Sequence, residues 1–354
     1  MAVEFHPLKV AAVEQLTDDA VAITFDVPDH LAERFRYLPG QHVTVRADVG
    51  GQDVRRSYSV CANAHTGALR VGVKRLEGGA FSTWATSQLH PGELLEVAPP
   101  AGEFTIAPDP TAANHYAAIA AGSGITPVLS LISTTLEAEP QSRWTLVFGN
   151  RAADTIMFFD EVEGLKDRFP DRLHLIHVLS REHPDVDLFA GRIDSEKLKG
   201  MFDRVIDFES VDDWFLCGPF EMVQAARQAI EGRGVDSRRV HDELFFAGPL
   251  DPDLMVPPDE IEGAVGLRVK LAGRTTETRM DPEMSLLDAA LRVRSELPFS
   301  CKGGMCASCK ARLVEGEVEM DRNYALVDAE LEAGLILTCQ SHPQTDQVSV
   351  DYDV

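Results

Sequence analysis

The feature that most constrains this chain is a group of cysteines towards its C-terminal end. Cys301, Cys306 and Cys309 follow one another with the spacing C-x4-C-x2-C, and Cys339 lies further along the chain. Six cysteines in a chain of 354 residues do not make a disulfide framework of the kind found in short secreted domains. The clustering therefore predicts that these four thiols bind metal.

The spacing predicts a [2Fe–2S] cluster. Four thiolates must converge on two irons, and a tightly wrapped C-x4-C-x2-C loop with a distant fourth cysteine is the plant-type arrangement. Gly303 and Gly304 permit the backbone conformations that such a loop needs. A structural zinc site, which favours two separated pairs of cysteines, and four buried cysteines without a ligand are the alternatives. Cys61 and Cys217 lie outside the pattern.

Charge and hydropathy limit the partners and the compartment. The formal net charge of −24 argues against nucleic acid and anionic membranes as partners. No apolar run reaches the roughly eighteen residues of a membrane span. The first residues, MAVEFHPLKV, lack the basic and apolar regions of a signal peptide. A cytoplasmic protein is expected.

The pattern of elements predicts four segments. Residues 1–108 alternate short strands with Gly and Pro turns, which is typical of an antiparallel β-barrel. Residues 109–246 alternate strands with helices, which predicts a doubly wound parallel α/β sheet. Residues 247–263 are rich in proline and acids and are expected to form a linker. Residues 264–354 carry the cysteine loop in an α+β domain, for which the ferredoxin-like β-grasp fold is expected.

Motifs in the first segment indicate a flavin. Arg56-Ser57-Tyr58-Ser59 resembles the R-x-Y-S motif of the ferredoxin–NADP reductase superfamily, in which arginine pairs with a flavin phosphate, tyrosine lies against the isoalloxazine and serine bonds its polar edge. An ordinary exposed strand is the alternative for this motif alone. PGQHV (39–43) precedes it, and VKRLEGGAFSTW (73–84) resembles the family's second flavin segment, which receives the pyrophosphate. The resemblance implies FAD, held in the second segment by Val73, Lys74, Gly78, Gly79, Phe81 and Ser82.

Two further motifs resemble the nicotinamide side of the same superfamily. AAGSGITPVLSLI (120–132) matches its G-x-G-x-x-P element, a turn between strand and helix at which a pyrophosphate can bind. FLCGP (215–219) with a following methionine matches its C-G-P-x-x-M element, in which the cysteine contacts the nicotinamide. A buried strand cysteine is the alternative at this position. The ligands implied for the coenzyme are Gly122, Gly124, Thr126, Pro127, Cys217, Gly218, Pro219 and Met222.

The expected coenzyme is NADPH. Ser180 and Arg181 follow the strand LHLIHVL, where NADPH-specific relatives keep a serine and an arginine, and Arg151 and Arg192 could add charge. An acid that grips the ribose hydroxyls would instead indicate NADH. No acid stands at the strand end itself, although Glu182 and Asp185 follow closely.

The segment HDELFF (241–246) completes the predicted reaction centre. The resemblance places Glu243 at the flavin and Phe245 over the isoalloxazine until the nicotinamide displaces it, with Phe246 as the adjacent candidate. A plain hydrophobic strand is the alternative. The predicted catalytic residues are Ser59, Cys217, Glu243 and Phe245.

The three modules together predict an electron-transfer enzyme, because NADPH delivers hydride, FAD can accept it, and a cluster carries single electrons. The order of modules resembles the reductase components of bacterial multicomponent oxygenases, which implies an oxygenase as the electron acceptor. The motifs, with CKGGMCASC and NYAL (323–326), resemble the reductases of phenylacetyl-CoA 1,2-epoxidase systems, whose oxygenase is a di-iron protein. The reductase of a Rieske-type 3-ketosteroid 9α-hydroxylase and a non-enzymatic redox sensor are the alternatives.

Overall fold

The structure is a computed structural model that describes residues 4–182, 186–244, 264–271, 273–294, 297–299, 304, 307, 309–323 and 325–354. The chain divides into two compact units, of which one contains His6–Val54 and Tyr58–Phe245 and the other contains Met1–Phe5, Arg55–Ser57 and Phe246–Val354. The predicted linker, residues 247–263, lies outside the described residues. Among the described residues, no helix is long and apolar enough to cross a membrane.

The N-terminal strands form the predicted antiparallel barrel. They are β1 (His6–Thr17), β2 (Ala20–Asp26), β3 (His42–Val49), β4 (Gln52–Ser59), β5 (Leu69–Lys74) and β6 (Leu94–Val97). Their order is β4-β3-β6-β1-β2-β5, and an antiparallel bridge between Val60 and Val71 joins the two edges. Alternate residues of β5 are buried in the barrel core, as the period of two requires. Helix α1 (Ala80–Ser87) follows the turn at Gly78 and Gly79.

The next segment forms the predicted doubly wound sheet. Its strands are β7 (His115–Ala121), β8 (Arg143–Asn150), β9 (Leu173–Leu179), β10 (Asp213–Gly218) and β11 (Val240–Leu244). Its helices are α2 (Ile125–Ala138), α3 (Phe159–Arg168), α4 (Ser195–Arg204) and α5 (Phe220–Glu231). All neighbours in the order β11-β10-β7-β8-β9 are parallel, so the order reverses between β7 and β10. Ligands of such sheets bind at the carboxyl ends of the strands beside this reversal.

The C-terminal unit is a mixed sheet with a helix packed on it. Its elements are β12 (Val265–Leu271), β13 (Arg274–Met280), α6 (Leu286–Leu291), β14 (Lys310–Glu315), β15 (Val318–Met320), α7 (Asp328–Glu332), β16 (Leu335–Leu337), β17 (Ser341–Pro343) and β18 (Gln347–Asp351). The order β13-β12-β18-β14-β16 has a parallel pair, β12 and β18, at its centre. Leucines of α6 are fully buried in this core, and the arrangement is that of the predicted β-grasp domain.

Strand β1 and helix α4 were not predicted from the sequence, and neither were the elements after the cysteine loop, β14 to β18 and α7. Strand β1 buries alternate residues only in its first half, and from position 11 to 16 its residues are exposed or half-buried, so its apolar period is short. Helix α4 buries only a short apolar stripe of Leu198, Met201 and Phe202. The exact limits given above for the four segments stay predictions, although the sheets fall within the first, second and fourth of them.

Candidate redox-cofactor sites

A chain of three polar side chains joins the barrel to the parallel sheet. Ser59, the last residue of β4, donates its hydroxyl proton to Glu243 Oε2 over 2.9 Å, and His42 Nδ1 lies 3.5 Å from Glu243 Oε1. Ser59 is 2% exposed and His42 is 8% exposed. Hydrogen bonds are stronger in such surroundings than in water, so the three groups hold one another in a fixed orientation. The fold thus brings the predicted Ser59 and Glu243 together and adds His42, which the sequence did not single out.

Gly102 lies close to the edge of the His42 ring that carries Nδ1. A Cβ on Gly102 would lie 2.9 Å from His42 Nδ1, and the backbone there has a φ of +116°. Glycine meets both demands, since it has no side chain and adopts positive φ readily. The main chains of His42 and Ala101 also exchange two hydrogen bonds of 2.9 Å. The imidazole is therefore fixed towards Glu243.

Cys217 lies beside Glu243 in the parallel sheet. The two residues are partners in the register of β10 and β11, and Cys217 is fully buried. Burial raises the pKa of the Cys217 thiol well above its ordinary value, and the carboxylates of Glu243 and Asp242 raise it further. The thiol stays protonated at neutral pH, so it packs as a small neutral group rather than acting as a thiolate nucleophile.

The reversal of strand order between β7 and β10 is the predicted coenzyme turn. A Cβ on Gly124 would lie 2.2 Å from the carbonyl oxygen of Cys217, so the two backbones touch there. Gly122 has a φ of +55°, and Thr126 donates its hydroxyl proton to Ser123 O over 3.0 Å. Pro127 lies in the first turn of α2, where backbone N–H groups have no partner within the helix, so the missing N–H of proline costs no hydrogen bond. This turn leaves the N-terminus of α2 at the carboxyl edge of the sheet.

The neighbouring strand end has an unsatisfied polar group. Asn150 closes β8 and is 9% exposed, and its Nδ2 has no hydrogen-bond partner within the part of the chain that the structure describes. Buried polar groups are normally paired, so an orphaned donor at a carboxyl strand end fits a site that a ligand completes. Met222 packs against the end of β10 at the same edge of the sheet, because a Cβ on Gly218 would lie 2.7 Å from Cε of Met222.

An aromatic group lies where the flavin motifs meet. The ring centroids of Tyr58 and Phe81 are 5.5 Å apart, and those of Phe81 and Trp84 are 5.7 Å apart. Phe81 is buried, whereas Tyr58 and Trp84 are half-buried and can offer a face to a ring. Trp84 was not singled out from the sequence.

The predicted pyrophosphate turn is held by its own side chain. Ser82 Oγ accepts a hydrogen bond of 3.1 Å from Leu76 N and donates one of 3.3 Å to Gly79 O. Gly78 has a φ of +72° and open space around it. The Ser82 hydroxyl is thus engaged within the turn, and the backbone of the turn is what a phosphate can approach. Val73 is buried in the barrel, and Arg56 is half-buried on β4.

The far end of the carboxyl edge carries the charges predicted to select the coenzyme. Ser180 N donates to Asn150 O over 2.9 Å and Arg181 N to Arg151 O over 2.7 Å, so the ends of β8 and β9 run side by side. The side chains of Arg181 and Arg192 are exposed. Glu182 Oε1 accepts a hydrogen bond of 2.6 Å from Ala153 N, and Asp185 lies outside the described residues.

Arg151 is paired across to the barrel. Its Nη2 lies 3.0 Å from Asp19 Oδ2, and Lys74 Nζ lies 3.5 Å from Asp19 Oδ1. Burial acts to raise the pKa of Asp19, but the hydrogen bond from Thr17 and the charges of Lys74 and Arg151 outweigh it, and the pKa is lowered. Burial also lowers the pKa of Lys74, which Asp19 partly offsets. These charges hold the barrel and the sheet together beside the coenzyme turn.

Two of the four predicted cluster ligands are described, and both are buried. Cys309 is 2% exposed and Cys339 is 8% exposed. Thr338 N and Oγ1 both donate to Cys309 O, over 3.3 and 2.9 Å, so the loop is tied to the strand end that carries Cys339. Thr338 Oγ1 also shares a hydrogen bond of 2.7 Å with the hydroxyl of buried Tyr352. Buried cysteine thiolates are the soft ligands that an iron–sulfur cluster requires, so these two residues fit the predicted site.

The remaining predicted residues lie outside the described residues. These are Cys301, Cys306 and Phe245, together with the alternative Phe246. Within the described part no group of three metal ligands occurs, as expected when half of the cysteine set is not described.

Comparison with protein-family models gives three consecutive domains. An oxidoreductase FAD-binding domain matches residues 7–106, an oxidoreductase NAD-binding domain matches residues 118–228, and a 2Fe-2S iron-sulfur cluster binding domain matches residues 269–344. These results support FAD, a nicotinamide dinucleotide and a [2Fe–2S] cluster in the predicted order.

Curated relatives share this whole arrangement. A component of the 1,2-phenylacetyl-CoA epoxidase of Escherichia coli is 42% identical over 99% of this chain and 98% of its own length. The ferredoxin reductase component of 3-ketosteroid-9-alpha-monooxygenase from Mycobacterium tuberculosis is 35% identical over 98% of this chain and 95% of its own. The chain belongs to this family of three-domain reductases.

Solved structures agree with the fold of the reductase. Phthalate dioxygenase reductase, described as a modular structure for electron transfer from pyridine nucleotides to [2Fe-2S], superposes with a TM-score of 0.54 over 98% of both chains at 23% identity. At this identity the likeness concerns the fold alone. A second match is CYP116B46 from Tepidiphilus thermophilus, a longer protein. The superposition covers 98% of the present chain and 42% of CYP116B46, at 27% identity and a TM-score of 0.56.

Proposed function

We propose that the reductase oxidises NADPH and passes the electrons one at a time to the oxygenase component of a phenylacetyl-CoA epoxidase. The observation that carries the proposal is the 42% identity, over the full length of both chains, with the relative from the Escherichia coli epoxidase. When bound, FAD accepts a hydride and gives up electrons singly to the [2Fe–2S] cluster.

The chain's own residues would supply position and hydrogen bonds. The turn at Gly122 and Gly124 and the N-terminus of α2 suit the coenzyme pyrophosphate, because backbone N–H groups and the helix dipole favour an anion. Cys217 is buried and protonated, so it adds no charge beside the proposed nicotinamide position. Ser59 holds a proton that it shares with Glu243, at the polar edge where the family motif places the isoalloxazine.

The proposed choice of NADPH over NADH rests on charge at the end of β9. Arg181 and Arg192 are exposed and can meet a 2′-phosphate, with Ser180 beside them. Glu182, the acid that could grip the ribose hydroxyls, already accepts a hydrogen bond from Ala153 N. Arg151 contributes less, since it is paired with Asp19.

Reconstitution tests the proposed partner. The purified reductase is mixed with the catalytic subunits of phenylacetyl-CoA epoxidase, and NADPH oxidation is followed with and without phenylacetyl-CoA. We expect substrate-dependent oxidation and epoxide formation. The oxygenase of a 3-ketosteroid 9α-hydroxylase with its steroid is the second arm, because relatives of that kind are 33 to 35% identical to this chain. Stronger coupling in the steroid arm would contradict the proposed partner.

A cysteine variant tests the order of electron transfer. Cys339→Ser should abolish reduction of cytochrome c, which needs the cluster, while much of the ferricyanide reduction by the flavin remains. Cys61→Ser is the matched control, because Cys61 is also buried but lies within the residues that match the FAD-binding domain. Equal loss of both activities in the Cys339 variant, with FAD still bound, would contradict a series that runs from flavin to cluster.

A further inference from the structure

We infer that Gln340 is a positioning residue of the iron–sulfur site, whose side-chain amide donates a hydrogen bond to the sulfur of Cys339 and raises the reduction potential of the cluster. The inference rests on the proposed function, since it takes Cys339 as a cluster ligand. It assigns a role to a residue outside the four cysteines.

The geometry of the amide supports this role. Gln340 Nε2 lies 3.6 Å from Cys339 Sγ and 2.9 Å from Cys339 O. A primary amide carries two hydrogens, so it can donate to the carbonyl and to the sulfur at once. A donor–sulfur distance of 3.6 Å suits a sulfur acceptor, because sulfur is a larger atom than oxygen.

The side chain of Gln340 is held in place from several directions. Gln340 is 8% exposed, and a Cβ on Gly304 would lie 3.1 Å from its Cγ. Gly304 itself has a φ of +77°, so a residue without a side chain suits both the backbone conformation and the close approach. The main chain of Gln340 donates to Leu337 O and accepts from Asp321 N, both over 2.9 Å. The side chain is therefore packed against Gly304 of the cysteine loop, and its amide is a fixed dipole at Cys339.

A fixed donor on a ligand sulfur has a definite electrostatic effect. Reduction of the cluster adds one electron, and the added negative charge is shared by the ligand sulfurs. An N–H dipole that points at Cys339 Sγ stabilises the reduced form more than the oxidised form, so the potential rises. Burial strengthens the effect, because little water is present to screen the dipole.

The test is a redox titration of the full-length holoprotein with dithionite, followed by electron paramagnetic resonance. Gln340→Met keeps an unbranched side chain of similar length but removes both donors. We expect the one-electron equilibrium to shift about tenfold towards the oxidised cluster, which corresponds to a midpoint about 59 mV lower. The Fe–S(Cys) stretching frequencies in resonance Raman spectra should also change, because the hydrogen bond to the thiolate is lost.

Gln344→Met is the matched control. Gln344 lies on the same stretch of chain but is exposed, and its amide faces Glu319 over 3.5 Å. Its midpoint and Raman spectrum should equal those of the wild type. If Gln340→Met does not assemble a cluster, Gln340→Asn withdraws the amide from the sulfur with a polar side chain and should lower the midpoint in the same direction.

An unchanged midpoint and unchanged Fe–S frequencies in a variant with an intact cluster would overturn the inference. That result is distinguishable from failure of the proposed function, because dithionite replaces the coenzyme and no oxygenase is present. A wild-type protein that shows the cluster spectrum but does not oxidise NADPH would overturn the proposed function and leave the titration valid. A wild-type protein without a cluster spectrum would overturn both.

Discussion

The two ends of the carboxyl edge of the parallel sheet are built differently. At β10 and β11 the groups are buried and fixed: Cys217 is fully enclosed, and Glu243 is held between Ser59 and His42. At β8 and β9 the groups are charged, and Arg181 stands in solvent. Hydride transfer requires reacting atoms to be placed within a fraction of an ångström, whereas recognition of a phosphate needs only charge within reach. The difference indicates that changes at the buried end should affect the rate, and changes at the exposed end the choice of coenzyme.

The largest effect is expected at the contact between β7 and β10. Gly124→Ala would place a Cβ 2.2 Å from Cys217 O, so the two backbones must separate and the nicotinamide position must move. A displacement of about 1 Å costs about 100-fold in rate, so kcat/KM for NADPH with ferricyanide should fall by at least about that factor. Gly164→Ala, at a helix position with open space, is the control and should keep the wild-type value. A wild-type rate in the Gly124 variant would show that the buried end tolerates movement.

A smaller loss is expected at the flavin edge. Ser59→Ala removes the hydroxyl that donates to Glu243 and leaves the carboxylate with one partner fewer in a buried setting. Losing a hydrogen bond to a charged group is worth about 1.5 kcal/mol, so flavin reduction by NADPH in stopped flow should slow about tenfold. Ser87→Ala serves as the control, since Ser87 is exposed on α1. If the variant slows coenzyme binding but not flavin reduction, Ser59 contributes to binding of the coenzyme and not to hydride transfer.

A change at the exposed end should alter the preference of the enzyme for NADPH over NADH. Arg181→Ala removes an exposed charge, and exposed ion pairs are worth up to about 1 kcal/mol. The ratio of kcat/KM for NADPH to that for NADH should therefore fall about fivefold, with kcat for NADH nearly unchanged. Arg204→Ala, at the end of α4 that leads towards the start of β10, is the matched control. An unchanged ratio would mean that Arg181 does not contact the 2′-phosphate.

The smallest effect is expected at the charges that join barrel and sheet. Asp19→Asn removes the partner of Arg151 and Lys74, and partly exposed ion pairs contribute about 1 kcal/mol or less. Because the folded state lowers the pKa of Asp19 below its ordinary value of 3.8, this stabilisation is present above that pH and is lost as the pH falls through the lowered pKa.

Thermal unfolding measured across pH tests this linkage. The wild type should unfold at a slightly higher temperature than Asp19→Asn at pH 7, and the difference should vanish in strong acid. Asp18→Asn, an exposed neighbour, should match the wild type at every pH. A difference between wild type and Asp19→Asn that persists in acid would show that the effect is not electrostatic.

Much of the molecule could be predicted from local sequence. The cysteine spacing predicted the cluster domain, and apolar runs bounded by glycine predicted β7, α2 and β10 because strand and helix periods are local properties. The order barrel, parallel sheet and cluster domain followed in the same way, and the three domain matches support it.

The tertiary structure decided how distant residues meet. Ser59 and Glu243 are 184 positions apart, and Asp19 and Arg151 are 132 apart. No sequence period relates such pairs, because they meet only through the packing of the barrel against one particular order of strands. His42 belongs to the same class, since it meets Glu243 only through the fold. Gln340 differs, because its partner Cys339 directly precedes it and the fold decides only that both are buried. The sequence by itself determined the modules and their cofactors. The fold determined which polar groups are buried beside the cofactor sites, and burial is what makes the hydrogen bonds of these groups stronger than in water.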